Sequence, residues 1–351
     1  MACGGNSLKH FIIFVGLIFS LLLSLYYYRD DQTKNIEDKK VHVYASSSFV
    51  AKWGPGPILK EIFEKQNIFK VEFIEISDMA MTIQKINFEN ESSLADVILG
   101  IDQFDMVRVA NKIKWRDIER STTINFVNNV KPVASEKAFV PYDWAPMSFI
   151  ARRDEKNNIN SLKDLLNPEL QGKIALQDPR TSSPGLQFLV WVFESYSPEE
   201  ALRYLKQMAR QAHSFSPSWS ASYGLFKNNQ ADFVFSYVTS PIYHLLEEKD
   251  DQYLSIETQE ALPMQVEFAG IPSTCKNCEA AEMFVNFLLS AEAQKIIMSK
   301  NYMLPVIEHV KEATPFDAIK IYKTRPIKFY EQNKIEKWIN VWTEIRKNEG
   351  T

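Results

Sequence analysis

From Val41 onward, short runs rich in β-branched and aromatic residues alternate with segments whose apolar positions recur every three or four residues. "VHVYASSSF" (41–49) predicts a strand, and "GPILKEIFEKQ" (56–66) a helix entered through a Gly/Pro turn. "VEFIEIS" (71–77) predicts a strand, "MAMTIQKINFE" (79–89) a helix, and "ADVILGI" (95–101) a further strand. A long extended segment follows in "AFVPYDWAPMSFIARRD" (138–154), then a short helix and a strand within "LKDLLNPELQGKIALQD" (162–178). Helices fit 184–196, 198–210 and 219–229. "ADFVFSYVTS" (231–240) and "MQVEFAGI" (264–271) read as strands, with "SPIYHLLEEK" (240–249) as a helix between them. "AAEMFVNFLLSAEAQKIIMS" (280–299) holds two helices with a common apolar face. The βαβα rhythm predicts an α/β protein of mixed, mostly parallel sheets with helices covering them.

Two of the extended stretches, near 139–149 and 262–271, are long enough to pass from one lobe of a two-lobed molecule to the other. The expected division is a leader and linker over 1–40, a first lobe begun by 41–141, a second lobe over 142–265, and 266–351 completing the first lobe with C-terminal helices. Ligands of open α/β sheets sit beyond the carboxyl ends of the strands. The loops there are "ASSSFVAKW", "ISDMAM", "GIDQ", "PYDWAP", "DPRTSSPG", "PSWSASYG" and "SYVTSPIY". They are rich in Ser, Tyr, Trp and Asp and predict a polar, aromatic cleft between the lobes.

The amino end departs from this pattern. "FIIFVGLIFSLLLSLYYY", Phe11 to Tyr28, is uncharged, exceeds a usual signal-peptide core and just reaches spanning length. It runs into "RDDQTK" with no small-residue cleavage site, which favours a retained anchor over a cleaved signal; either way the body is exported. In the 351-residue chain, 40 basic and 44 acidic side chains leave a net charge of −4, and no basic–aromatic stripe suggests nucleic acid. Of the three cysteines, Cys275 and Cys278 form "TCKNC", which fits a small local disulfide or two free thiols; no second pair or nearby histidine completes a metal site. Nucleotide-cradling glycine motifs, a G-x-S-x-G elbow and an H-E-x-x-H helix are all missing. The five histidines are scattered, and His244 reads as a hydrogen-bonded, partly buried side chain.

"QDPRTSSPGLQFLVW" (177–191) is a helix start. Pro184 is placed at its first helical position and Ser183, just before it, to cap it, leaving backbone N–H groups that attract anions or hydroxyls.

Together, "WGPGPILKEIFEK", "ADVILGID", "FVPYDWAPMSFI", "QDPRTSSPGL", "WSASYGLF" and "SYVTSPIYHLLEEK" make the chain from about Val41 to Val306 resemble the thiamine-binding periplasmic proteins, the solute receptors of thiamine ABC importers. The resemblance implies a two-lobed, non-enzymatic receptor that closes over thiamine or its phosphates, needs no cofactor or metal, acts as a monomer and delivers to an ABC permease. The matching contact positions are Asp78, Met79, Ser182, Ser183, Trp219, Tyr237, Val238, Thr239, Ser240 and Tyr302. Two positions depart from the family: Met79 stands where Gly often follows the Asp, and Ser46 where an aromatic is common.

The chemistry of these side chains suits a cationic thiazolium joined to an aminopyrimidine. Trp219, Tyr237 and Tyr302 offer aromatic faces, Asp78 a carboxylate, and Ser182 and Ser183 a phosphate seat at the helix end. Plainer roles compete: Trp219 and Tyr223 are four apart and could be core, Asp78 could cap a helix, and Tyr237 could simply pack. Rival ligands of the same fold are iron(III) and polyamines, but the only adjacent tyrosines, Tyr26–Tyr28, lie in the membrane run. A thiamine-degrading transferase would need a cysteine nucleophile in the cleft, and Cys275 and Cys278 precede the helix at Ala280, away from the predicted cleft loops.

Overall fold

The structure is a computed structural model that describes residues 20, 23–24, 39–76, 79, 82, 85, 95–120, 123–154, 159–320 and 323–348. The apolar run 11–28 (apart from 20, 23 and 24), most of the helix expected over 79–89, and Asp78 therefore lie outside the described residues.

The first lobe opens with β1 (Lys40–Ser46), α1 (Ser47–Val50), α2 (Gly56–Gln66) and β2 (Lys70–Ile76). Alternation would carry the first strand through "ASSSF", but it stops at Ser46, whose hydroxyl accepts from Phe49 N and turns the chain into α1. β3 (Val97–Asp102) leads into α3 (Gln103–Ala110), capped by Asp102 through Phe104 N and Asp105 N. The 14-residue β4 (Phe139–Arg152) then crosses to the second lobe.

There, β5 (Ile174–Gln177) enters α4 (Ser183–Ser195), and α5 (Pro198–Gln211) starts on a capping box of Ser197 and Glu200. Next come β6 (Ser214–Ser216), α6 (Trp219–Lys227), β7 (Phe233–Tyr237) and α7 (Ser240–Tyr243), which continues as a π-helical turn to Glu248. β8 (Tyr253–Ser255) precedes the return strand β9 (Met264–Gly270). The chain ends with α8 (Cys278–Leu288), α9 (Ala291–Asn301), β10 (Leu304–Pro305) and α10 (Gln332–Asn348). A disulfide joins Cys275 to Cys278, the first residue of α8.

One mixed sheet runs through both lobes in the order β2-β1-β3-β9-β4-β7-β5-β6, with β8 and β10 also paired to β4. The strand β4 makes this continuity possible: its first half pairs with β9 and its second half with β7. Both faces are covered, so β4 is buried along almost its whole length, which is why it reads as continuously apolar. The helix 280–299 expectation resolves into α8 and α9, separated where Ser290 caps the second.

The first core gathers Val41, Phe63, Ile98, Phe268 and Phe284; the second gathers Phe149, Leu189, Trp191, Phe235 and Leu205. α10 corrects the expected division of the chain. Ile335, Trp342 and Ile345 bury into the second core, so the end of 266–351 belongs with the second lobe rather than the first. Its apolar positions lie on one face of the helix, and that face meets α4 and α5. A third crossing accompanies it: Leu262 N donates to Lys323 O, and Arg325 N donates back to Leu262 O.

Candidate ligand cleft

A cavity of about 550 Å³ opens between the lobes. That is within the usual range for a small-molecule site, roughly 300–1,000 Å³. Every one of the seven predicted cleft loops except "PYDWAP" contributes a wall residue. Ser46–Ser48 and Trp53, Met79 and Gly100 come from the first lobe; Ser183, Trp219, Tyr223, Tyr237, Ser240 and Tyr243 come from the second. Trp53 is 55% exposed at the rim, on a loop folded tightly over α1. A side chain at Gly54 would strike Ser48 O at 2.2 Å, so that fold-back requires glycine. A larger, shallower groove of about 780 Å³ between α5 and α10 is rimmed by Lys206, Lys337 and Glu344 and contains none of the candidates.

The aromatic wall is built on α6. Trp219 and Tyr223 stack at 4.8 Å between ring centroids, and Tyr237 tilts against Trp219 at 6.3 Å. Trp219 Nε1 donates to Ser236 Oγ at 2.9 Å, which aims the indole along the cavity. Core and contact roles coincide here, because Tyr223 is buried behind Trp219 while Trp219 faces the space.

Tyr223 is anchored in turn. Its hydroxyl lies 2.9 Å from His244 Nε2, and His244 Nδ1 lies 2.5 Å from Glu248 Oε2. A carboxylate can only accept, so Nδ1 carries the proton and Nε2 accepts from Tyr223. His244 is fully buried, and burial holds its pKa below the ordinary value despite Glu248.

Tyr302 closes the mouth from the first lobe. It sits at φ 53° at the end of α9, and its hydroxyl donates to Glu247 Oε1 of the second lobe at 2.7 Å. Lys300 approaches the same carboxylate at 3.7 Å, and the Tyr243 ring meets Tyr302 edge-on at 5.3 Å. The Tyr302 hydrogen bond, foremost, lowers the Glu247 pKa. Lys227 is held by Glu248 at 2.8 Å and lies over the Tyr243 ring. The lobes are thus in contact across the cleft.

α4 starts one residue earlier than expected, so Ser183 is its first residue rather than its cap. Ser182 occupies the cap position but is 3% exposed, makes no capping hydrogen bond, and its Oγ has no partner among the described residues. Ser183 lines the cavity and donates from Oγ to Asp105 Oδ2 at 2.8 Å, a contact between α4 and α3. Gly185 lets this turn close: a Cβ there would meet Gln177 O at 2.6 Å. Val238 and Thr239 are buried behind the wall, and Val238 N donates to Pro146 O. Ser240 reaches Ser236 Oγ at 2.8 Å.

The floor was not foreseen. Glu267 of β9 lies opposite Asp143 of β4 in the strand register. Tyr142 donates to Glu267 Oε2 at 2.7 Å, Gln265 Nε2 to Glu267 Oε1 at 3.1 Å, and Asn301 Nδ2 to Asp143 Oδ2 at 2.7 Å. Burial raises the pKa of both carboxyls, and each stands close enough to perturb the other. The available signal was acidic residues inside the apolar strands "MQVEFAGI" and "PYDWAP".

The bacterial extracellular solute-binding protein family matches residues 82–302. The thiamine-binding periplasmic protein of Escherichia coli (strain K12) is 34% identical over 265 residues, covering 75% of this chain and 80% of the relative. The chain belongs to the thiamine-binding periplasmic protein family. The protein of the same description from Brucella abortus biovar 1 is 33% identical over 309 residues, covering 86% of this chain and 91% of that one. A solved periplasmic thiamin binding protein superposes with a TM-score of 0.79 at 29% identity, covering 88% of this chain and 96% of that chain. The apo ferric ion-binding protein A of Pasteurella haemolytica shares the fold, with a TM-score of 0.72 at 17% identity and coverage of 88% and 98%. As a member of this family the chain is a periplasmic or extracellular solute-binding protein rather than an enzyme.

Proposed function

We propose that the protein captures thiamine in the interlobe cleft and delivers it to an ABC permease. The observation that carries this reading is the aromatic enclosure. Trp219 and Tyr237 form one wall, and Tyr243 and Tyr302 close over the mouth from opposite lobes. Such faces attract a desolvated aromatic cation by stacking and cation–π forces, worth roughly 0.5–2 kcal/mol each. The relatives are named for thiamine, which joins the two rings this enclosure suits.

In this reading Met79, Ser183, Trp219, Tyr237, Ser240 and Tyr302 contact the ligand. Val238 and Thr239 shape the turn that presents Tyr237 and Ser240. By the family resemblance we assign Asp78 to the ligand's positive charge. Phosphorylated forms seat their phosphate at the start of α4, beside Ser182 and Ser183, where it competes with Asp105 for the Ser183 hydroxyl. Unphosphorylated thiamine is therefore the preferred form. The run 11–28 tethers the exported body, which works as a monomer.

Mass spectrometry of ligand co-purified with the folded protein tests this. Thiamine is expected; a different solute bound at full occupancy would overturn the assignment.

A further inference from the structure

Asp143 Oδ1 is fully buried and has no hydrogen-bond donor among the described residues. Its neighbour across the strand pair is the Glu267 carboxyl, which lines the cavity. Two carboxylate oxygens repel unless a proton sits between them. Gln265, 1% exposed and also on the cavity wall, keeps its Oε1 without a donor, a second unmet acceptor at the same floor. Among the described residues, the side-chain donors on this pair are Tyr142 and Gln265 Nε2, on Glu267, and Asn301, on Asp143.

We propose that the Asp143–Glu267 pair reads the ligand's charge: it carries one shared proton in the unliganded protein and releases it to solvent when a cationic nitrogen heterocycle binds. No bond of the ligand forms or breaks. The pair passes from one negative charge to two, and the cation's positive charge balances the added one. Burial, foremost, raises the pKa of both carboxyls, the direction a shared proton requires. This assignment rests on the thiamine reading for the identity of the cation.

The surrounding groups leave this role to the pair. Asp102, opposite Glu267 on the β3 side, accepts from Phe104 N, Asp105 N and Gln187 Nε2. Tyr142 donates its only proton to Glu267, and Tyr237 lines the adjoining wall. Lys300 and Lys227 also border the cavity, but they pair with Glu247 and Glu248.

The test is calorimetry of thiamine binding in buffers of different ionisation enthalpy, with thiochrome as the uncharged ring analogue. Wild type should release a proton on binding thiamine, and affinity should rise with pH through the range in which the pair titrates. Glu267→Gln should weaken thiamine about tenfold or more with no proton released, while thiochrome changes less than about threefold. Asp143→Asn supplies Glu267 with a permanent N–H donor, so it should also bind without proton release; circular dichroism checks the fold of both variants. Thiamine bound by wild type without proton release, or equally tightly by folded Glu267→Gln, would overturn the inference alone. Absence of thiamine binding to wild type would overturn both it and the proposed function.

Discussion

Replacing Trp219 with alanine removes the largest face of the cleft wall while disturbing few other contacts. The indole N–H donates to Ser236 Oγ, and that hydroxyl keeps its contact with Ser240, so the truncation leaves no orphaned buried group. The stability cost is lost packing on Tyr223 and Tyr237 by a half-buried ring, less than the roughly 3–5 kcal/mol typical of a fully buried Trp. The binding cost is the stacked face itself, about 1–3 kcal/mol, or about 5- to 150-fold in Kd. Trp219→Phe retains a ring but not the N–H, so its Kd should stay within about fivefold of wild type. Isothermal titration with thiamine, paired with thermal unfolding of each unliganded variant, separates the two costs. A folded Trp219→Ala protein with a Kd within about twofold of wild type would refute the stacking argument and make Trp219 a core residue only.

Breaking the contacts at the mouth should act on release. Glu247→Ala removes the acceptor shared by Tyr302 and Lys300, so thiamine should dissociate about three- to tenfold faster in stopped-flow fluorescence, with association little changed. Ser182→Ala combined with Ser183→Ala should weaken the diphosphate about tenfold more than thiamine by titration, since only the former brings anionic oxygens to α4. Burying His244 should cost stability as pH falls below about 6.5, because it binds a proton less readily than the unfolded chain does; the raised Asp143 and Glu267 carboxyls act the opposite way, so the check is the melting-temperature change from pH 7.5 to 5.5 in wild type against that in His244→Gln. Reduction of the Cys275–Cys278 disulfide should cost about 2 kcal/mol or less, as its loop is short and Asp96 Oδ1 still accepts from Lys276 N and Asn277 N; denaturant unfolding with and without reductant measures it.

Periodicity made most of the fold legible. The strands at 71–77 and 264–271 and the helices at 56–66 and 198–210 emerge within a residue or two of their expected ends, because each has a polar side facing solvent or a cap that marks its limits. Local pattern failed where tertiary contact decides. "ASSSF" alternates well enough for a strand, yet the Ser46 hydroxyl turns it into a helix. No feature of 332–348 reveals which lobe its apolar face will meet; the third crossing past Leu262 carries it to the second. Within the cleft, Trp219, Tyr237 and Tyr302 could be picked out only through the family resemblance, since each alone reads as well as packing; all three line the cavity. Glu267 and Asp143 could not be paired, since they lie far apart in the chain and only the β4–β9 alignment brings them together. Ser183 was expected to cap α4 and is instead its first residue, bonded to Asp105 of α3, a tertiary contact that the local sequence leaves open.

The central claim is that the aromatic cleft holds thiamine. Isothermal titration of the ligand-free, folded protein with thiamine tests it most directly. The account predicts one site per chain with a Kd from the low-nanomolar to the micromolar range, about −8 to −12 kcal/mol. No binding of thiamine or of either phosphate, by protein that circular dichroism shows to be folded, would contradict it.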